Sequence, residues 1–120
     1  MKILADTSVW VDHLRHGDAT LRHYLTQGDI VIHDHIVGEL CLGGLSREKH
    51  ALLDWLHRCT IASHAEVMHL IETRKLASRG LGYVDTHLLA AALIGRLRLW
   101  TLDRALRQAA DECGCGLANH

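Results

Sequence analysis

With 120 residues, 48% of them hydrophobic and 22% charged, the chain has ordinary globular composition. That excludes a disordered segment and allows a core without a disulfide or metal staple. Thirteen Lys and Arg against fourteen Asp and Glu give no global basic field, so nucleic-acid binding would need a local patch.

The elements follow in chain order. Lys2 to Ala5 (KILA) reads as a short buried strand. Thr7 to Leu14 reads as a helix capped by Asp6, Thr7 or Ser8. Ala19 to Thr26 carries Leu21 and Leu25 at helical spacing and ends at Gly28. Asp29 to His33 is a strand, and Asp34 is the expected cap of a helix through Ile36 and Leu40 that stops at Gly43-Gly44. Arg47 to His57 is helical in spacing, Thr60 to Ala62 is a candidate third strand, and Ala65 to Ser78 is another helix. Val84 to Ile94 is almost wholly apolar, so that helix should be buried on most of its surface. Arg98 to Thr101 is a strand, Asp103 to Glu112 a helix, and Gly116 to Ala118 a short final strand. Strands alternating with helices predict an α/β fold with a mostly parallel sheet, and a single domain over residues 1–120.

No charge-free apolar run reaches the roughly 18 residues of a spanning helix. In MKILAD an acid ends the first apolar run, too soon for a signal segment. The expected location is the cytoplasm. Three Trp, two Tyr and no Phe are too few and too scattered to predict a base-stacking platform. Cys113 and Cys115 form C-G-C ahead of His120, which is half of a zinc hook with no partner pair. The reading is small buried residues near the last strand. Among eleven His, His33 and His35 flank Asp34, and the expectation is exposed imidazoles around a helix start.

Four acids stand out. In parallel α/β sheets, function gathers beyond the carboxyl ends of the strands. Asp6 follows the first strand and Asp103 follows the LWT strand. Asp85 opens the apolar helix, and Glu39 interrupts the apolar stretch IVGELCLGG. Any one of them could be a helix cap, a dipole partner or a solvated helical acid. Together at one sheet edge they would repel unless protonated or bound to a cation. Oxygen-only ligands suit hard ions, Mg2+ or Mn2+. Such an ion permits hydrolysis of a phosphodiester by an activated water.

KILADTSVWVDHL, the acid in VGELCLGG, GLGYVDTHLLAAALI and LRLWTLDRAL occur in that order over almost the whole chain. In this order and at this length the chain resembles the PIN-domain ribonucleases, most closely the VapC toxins of bacterial toxin–antitoxin pairs. The resemblance implies a three-layer α/β/α sandwich around a mostly parallel sheet, and a Mg2+- or Mn2+-dependent endoribonuclease. Carried onto this sequence, the catalytic acids are Asp6, Glu39, Asp85 and Asp103. Asp6, Asp85 and Asp103 would be direct or water-mediated metal ligands, and Glu39 a ligand or water-orienting base. Ser8 and Thr101 would be hydroxyl donors that orient a carboxylate or the phosphate. Many relatives carry a further acid two residues after the last one; here that residue is Ala105, so one tightly held ion is expected. His87 takes the place of a usual apolar residue and receives no role.

The resemblance also implies an RNA substrate, a toxin homodimer, and a cognate antitoxin whose C-terminal segment blocks the site, in a heterotetramer or larger assembly. Arg79 and Arg104, near the acids in sequence, are the expected phosphate contacts. Leu42, Leu45, Leu53, Trp55 and Leu56 are candidates for an antitoxin groove. Two other classes compete. A phospho-acceptor signalling domain wants a Lys at a later strand end, and Lys2, Lys49 and Lys75 do not supply it. A catalytically silent PIN-fold binding module would keep the fold and cut nothing.

Overall fold

The structure, a computed structural model, describes residues 1–118; His120 lies outside them. The elements run β1 (Ile3–Ala5), α1 (Thr7–His16), α2 (Ala19–Thr26), β2 (Ile30–Ile32), α3 (Asp34–Leu42), α4 (Arg47–Leu53), β3 (His57–Arg58), α5 (His64–Thr73), α6 (Tyr83–Gly95), β4 (Arg98–Trp100) and α7 (Arg104–Glu112). The sheet has the order β3-β2-β1-β4, and every pairing in it is parallel. Register sets Ile3 against Ile30 and Arg98, and Ala5 against Trp100.

Every residue of β1 and β2 is buried, so helices must cover both faces of the sheet. They form two packed groups, α1 and α4 against α3, and α5 and α7 against α6. This is the expected three-layer α/β/α sandwich. Helix α6 is its central member, with an unbroken buried run from Thr86 to Ala92, as its apolar sequence predicts. No helix among the described residues is long and apolar enough to cross a membrane.

Several boundaries depart from expectation. The third strand is His57–Arg58, not Thr60 to Ala62. Both its residues are exposed and polar, so no apolar alternation marks it. It is held by pairing with β2 and by Arg58, which bonds Asp34 at 2.9 Å and Asp54 at 3.0 Å. Helix α5 stops at Thr73 rather than Ser78. The chain turns back at Lys75 (φ 53°), and the Leu76 N–H bonds the Ile71 carbonyl at 3.0 Å. Leu76 is therefore buried from a turn, not from a helix face. The cap of α3 is His33, whose ring nitrogen accepts from the His35 N–H, rather than Asp34. Gly116 makes one parallel bridge to Leu99 in place of a final strand.

The expectation of exposed histidines at the start of α3 is also overturned. His33 is wholly buried, because the carboxyl end of β2 delivers it under α6. Cys113 and Cys115 are free thiols, and burial pushes both upward in pKa, Cys115 to about 11. Cys115 is buried, as read from the sequence, and Cys113 is half-buried against the core.

Candidate active site

The chain moves from β1 to β2 and β3 on one side, then crosses back to place β4 on the other side of β1. The reversal leaves a crevice beyond the carboxyl ends of β1 and β4, the place where open α/β sheets bind ligands. Asp6 leaves β1 there and Asp103 leaves β4, joined across the strands by the Asp6 N–H to Trp100 carbonyl bond of 2.9 Å.

Asp6 is only 5% exposed, and burial pushes its carboxyl above the usual range. Hydrogen bonds oppose that shift. Ser8 Oγ donates to Oδ1 at 2.5 Å, the Val9 N–H donates to the same oxygen at 3.2 Å, and Thr101 Oγ1 donates to Oδ2. The two hydroxyls are themselves fixed. Ser8 Oγ accepts from the Leu102 N–H, and Thr101 Oγ1 accepts from the Asp103 N–H, each at 3.0 Å. Both hydroxyls predicted from the sequence thus orient Asp6 and tie the ends of β1 and β4 together.

Asp103 caps α7, with Oδ2 accepting from the Leu106 N–H at 2.9 Å. Asp85 turns back on the start of α6, and its Oδ2 accepts from the Gly82 N–H at 2.9 Å. Asp85 is raised in pKa, first by burial and then by the charges of Asp103, Asp6 and Glu39. These charges act across the crevice beyond β1 and β4, where Thr101 Oγ1 links the Asp6 carboxylate to the Asp103 N–H. Glu39 reaches the crevice from α3 and accepts from Thr7 Oγ1 at 2.6 Å. The sequence reading gave Thr7 only a capping role; its contact with Glu39 joins residues 32 apart, which no local pattern encodes.

Among the described residues no three His, Cys, Asp or Glu side chains are grouped so that together they could hold a metal ion. A hard ion does not require such a group, because Mg2+ is commonly held by one or two carboxylates and keeps its waters. The donor set is all oxygen, the acids repel one another, and Asp6 is oriented in advance. These residues fit such an ion.

Arg104 is exposed at the first turn of α7. Arg79 is ion-paired with Glu112, at the other end of the same helix. Of the groove candidates, Leu45 lines one cavity and Leu53 and Leu56 line another, while Leu42 and Trp55 project into solvent at 91% and 87% exposure.

The fold and its acid-lined crevice define an α/β protein of the PIN class, and residues 3–112 match the PIN domain family. The chain is 42% identical to Ribonuclease VapC32 of Mycobacterium tuberculosis, in the CDC 1551 / Oshkosh and H37Rv strains alike, over 97% of this chain and 96% of the relative. Among solved structures, FitAcB from Neisseria gonorrhoeae superposes with a TM-score of 0.62 at 22% identity, covering 91% of this chain and 93% of the other. PAE2754 from Pyrobaculum aerophilum does so with a TM-score of 0.61 at 19% identity, covering 91% and 86%. At such identities these two show the fold alone. The chain belongs to the PIN-domain family, among its VapC ribonucleases.

Proposed function

We propose that this chain is the toxin of a toxin–antitoxin pair and cuts RNA as a Mg2+- or Mn2+-dependent endoribonuclease, acting in the cytoplasm as one domain over residues 1–120. The observation that supports the reading is geometric: Thr101 Oγ1 joins the Asp6 carboxylate to the Asp103 N–H, and Thr7, next to Asp6, holds Glu39. Membership among the VapC ribonucleases supports it.

Asp6, Asp85 and Asp103 would hold the ion directly or through its waters, and the bound ion would supply an acidified water and neutralise charge on the phosphate. Ser8 and Thr101 keep both oxygens of Asp6 in place, so no rotamer search accompanies binding. Thr7 holds Glu39 through Oε1, leaving Oε2 to orient water and accept its proton. Arg104 contacts the RNA backbone. Arg79 contacts it by exchanging its Glu112 carboxylate for a phosphate. Replacing both arginines by Ala should weaken RNA binding and reduce its salt dependence.

The antitoxin segment docks in the groove of about 340 Å3 between α1, α3 and α4, lined by Val11, Leu14, Arg15, Leu40 and Leu45. Glu39 lines the same groove, so a segment lying there ends over the acids. A second copy of the chain covers the apolar cleft between α5 and α6, lined by Ala65, Leu70, Ala90, Leu93 and Ile94.

The test is cleavage of a small-RNA pool by purified protein in Mn2+, Mg2+ or EDTA, beside Asp6→Asn and Asp85→Asn. The expected result is discrete cuts that need metal and vanish in both variants. Folded, antitoxin-free protein that cuts nothing would sink the reading in favour of a silent binding module.

A further inference from the structure

Histidines scattered through the sequence meet beside the acids. His33, His35, Tyr83, His87 and His64 form one continuous ring array. Ring centroids are 4.6 Å apart for His33–His35, 4.9 Å for His35–His87, 4.8 Å for Tyr83–His87 and 5.8 Å for His64–Tyr83. The array begins at the buried His33 and ends at the exposed Tyr83 and His64. Three helices carry it, and two of them, α3 and α6, also carry acids of the site. His35 lies one turn before Glu39 on the same face of α3, and Tyr83 opens α6 two residues ahead of Asp85, the two side chains leaving the helix start on different sides. The array therefore ends at the helix start that holds Asp85.

It is not built to hold a metal. His33 Nδ1 accepts from the His35 N–H at 3.0 Å, so the neutral ring carries its proton on Nε2 and offers no lone pair there. What it builds is a rigid, partly open aromatic surface. The Tyr83 hydroxyl is hydrogen-bonded to His64 Nδ1 at 2.6 Å, and the edge contact with His87 (85° between planes) fixes the ring. Yet Tyr83 stays 48% exposed. Trp10 and Trp100 are buried in the core. Tyr83 also borders a cavity of about 250 Å3 lined by Ile71, Leu76, Ser78 and Leu81, roomy enough for a flat heterocycle.

We propose that Tyr83, braced by His64 and His87, is the stacking platform for an RNA base next to the scissile phosphate. Single-stranded RNA is recognised by bases stacked on aromatic rings, and a ring fixed before binding loses little entropy when a base lands on it. This rests on the nuclease reading and adds a nucleotide subsite to it.

The test uses a short RNA containing a cut mapped in the small-RNA pool, and copies made abasic at each nucleotide flanking that cut. Single-turnover cleavage in Mn2+ gives the half-saturating protein concentration. For the native chain, one abasic position should raise it by roughly tenfold, the scale of a lost base–aromatic stack. Tyr83→Ala should show that loss on intact RNA and no further loss on the abasic copy. Tyr83→Phe should keep the native penalty. Tyr83→Leu, which retains an apolar contact at the helix start, should behave like Tyr83→Ala and guards against a folding defect. A native penalty that persists unchanged in both ring-less variants, or no penalty at any flanking position, would overturn the platform while leaving the nuclease intact. A native protein that cuts no RNA overturns both.

Discussion

Asp6 is the N-cap of α1 and, in the proposed function, a metal-site acid, and one carboxylate can do both only because its two oxygens divide the work. Oδ1 accepts from Val9 and Ser8, and Oδ2 accepts from Thr101. Thr101→Val removes the partner of Oδ2 and keeps the side-chain volume. Loss of such an outer partner commonly costs roughly 10–100-fold in metal affinity or activity. Cleavage rates titrated with Mn2+ should therefore show a higher metal requirement in Thr101→Val, and a native-like titration would rule the role out. His33 supplies a second residue-scale prediction. Burial, then the nearby His35 and His87, lower its pKa to about 4 against an ordinary 6.5, with Asp34 pulling weakly the other way. The unfolded chain takes up this proton first, so stability from the neutral ring is complete above pH 6.5 and is lost as pH falls towards 4. Over that window the loss is on the order of 3 kcal/mol. His33→Asn keeps an acceptor to cap α3 but does not titrate. Urea midpoints between pH 7.5 and 4.5 should fall less steeply in the variant than in the native chain. Parallel slopes would show that His33 is not the group responsible.

Helix starts are where this fold keeps its chemistry. Asp6 and Asp103 cap helices α1 and α7, and Asp85 lies in the first turn of α6, so each acid is anchored by a backbone N–H at a helix start. Capping and catalysis can be separated at Asp103. Asn caps about as well as Asp, whereas Ala loses roughly 1 kcal/mol. Asp103→Asn should unfold at the native urea concentration and cut RNA poorly, and Asp103→Ala should lose both stability and cleavage. Equal stability in the two variants would mean that the 2.9 Å bond to Leu106 contributes nothing. This coupling also explains what the sequence makes legible. Acids placed after apolar strands and before apolar helices advertise both cap and site, so the strands carrying Asp6 and Asp103 and the buried helix of Asp85 could be read directly. The edge strand His57–Arg58 could not, because an exposed two-residue strand has no apolar face to set a period. The end of α5 was misread because Leu76 continues a helical spacing that the backbone has already left.

At the scale of the molecule, strand order brings the acids together, and strand order is not written in any local pattern. Nothing in the sequence places β4 beside β1, and only that crossover sets Asp103 against Asp6 and within reach of Asp85 and Glu39. For the same reason the ring array at Tyr83 was invisible. Its members come from β2, α3, α5 and α6, and histidines counted along a chain do not reveal which of them meet. The crossover also gathers like charges at one end of the sheet, and burial first, then these charges, push the Asp85 carboxyl up. Two thermal shifts follow. Asp85→Asn keeps an oxygen to accept from the Gly82 N–H and removes one of the repelling charges, so the metal-free variant should melt above the native chain. A divalent ion relieves the same repulsion only where the carboxylates remain. Mn2+ at about 100 times its Kd should stabilise the native chain by about 2.7 kcal/mol, and the variant by clearly less. Melting curves in EDTA and in Mn2+ measure both shifts without reference to cleavage. A native chain indifferent to Mn2+, together with an Asp85→Asn protein that melts lower in EDTA, would show these carboxylates to be structural caps and not a cation site.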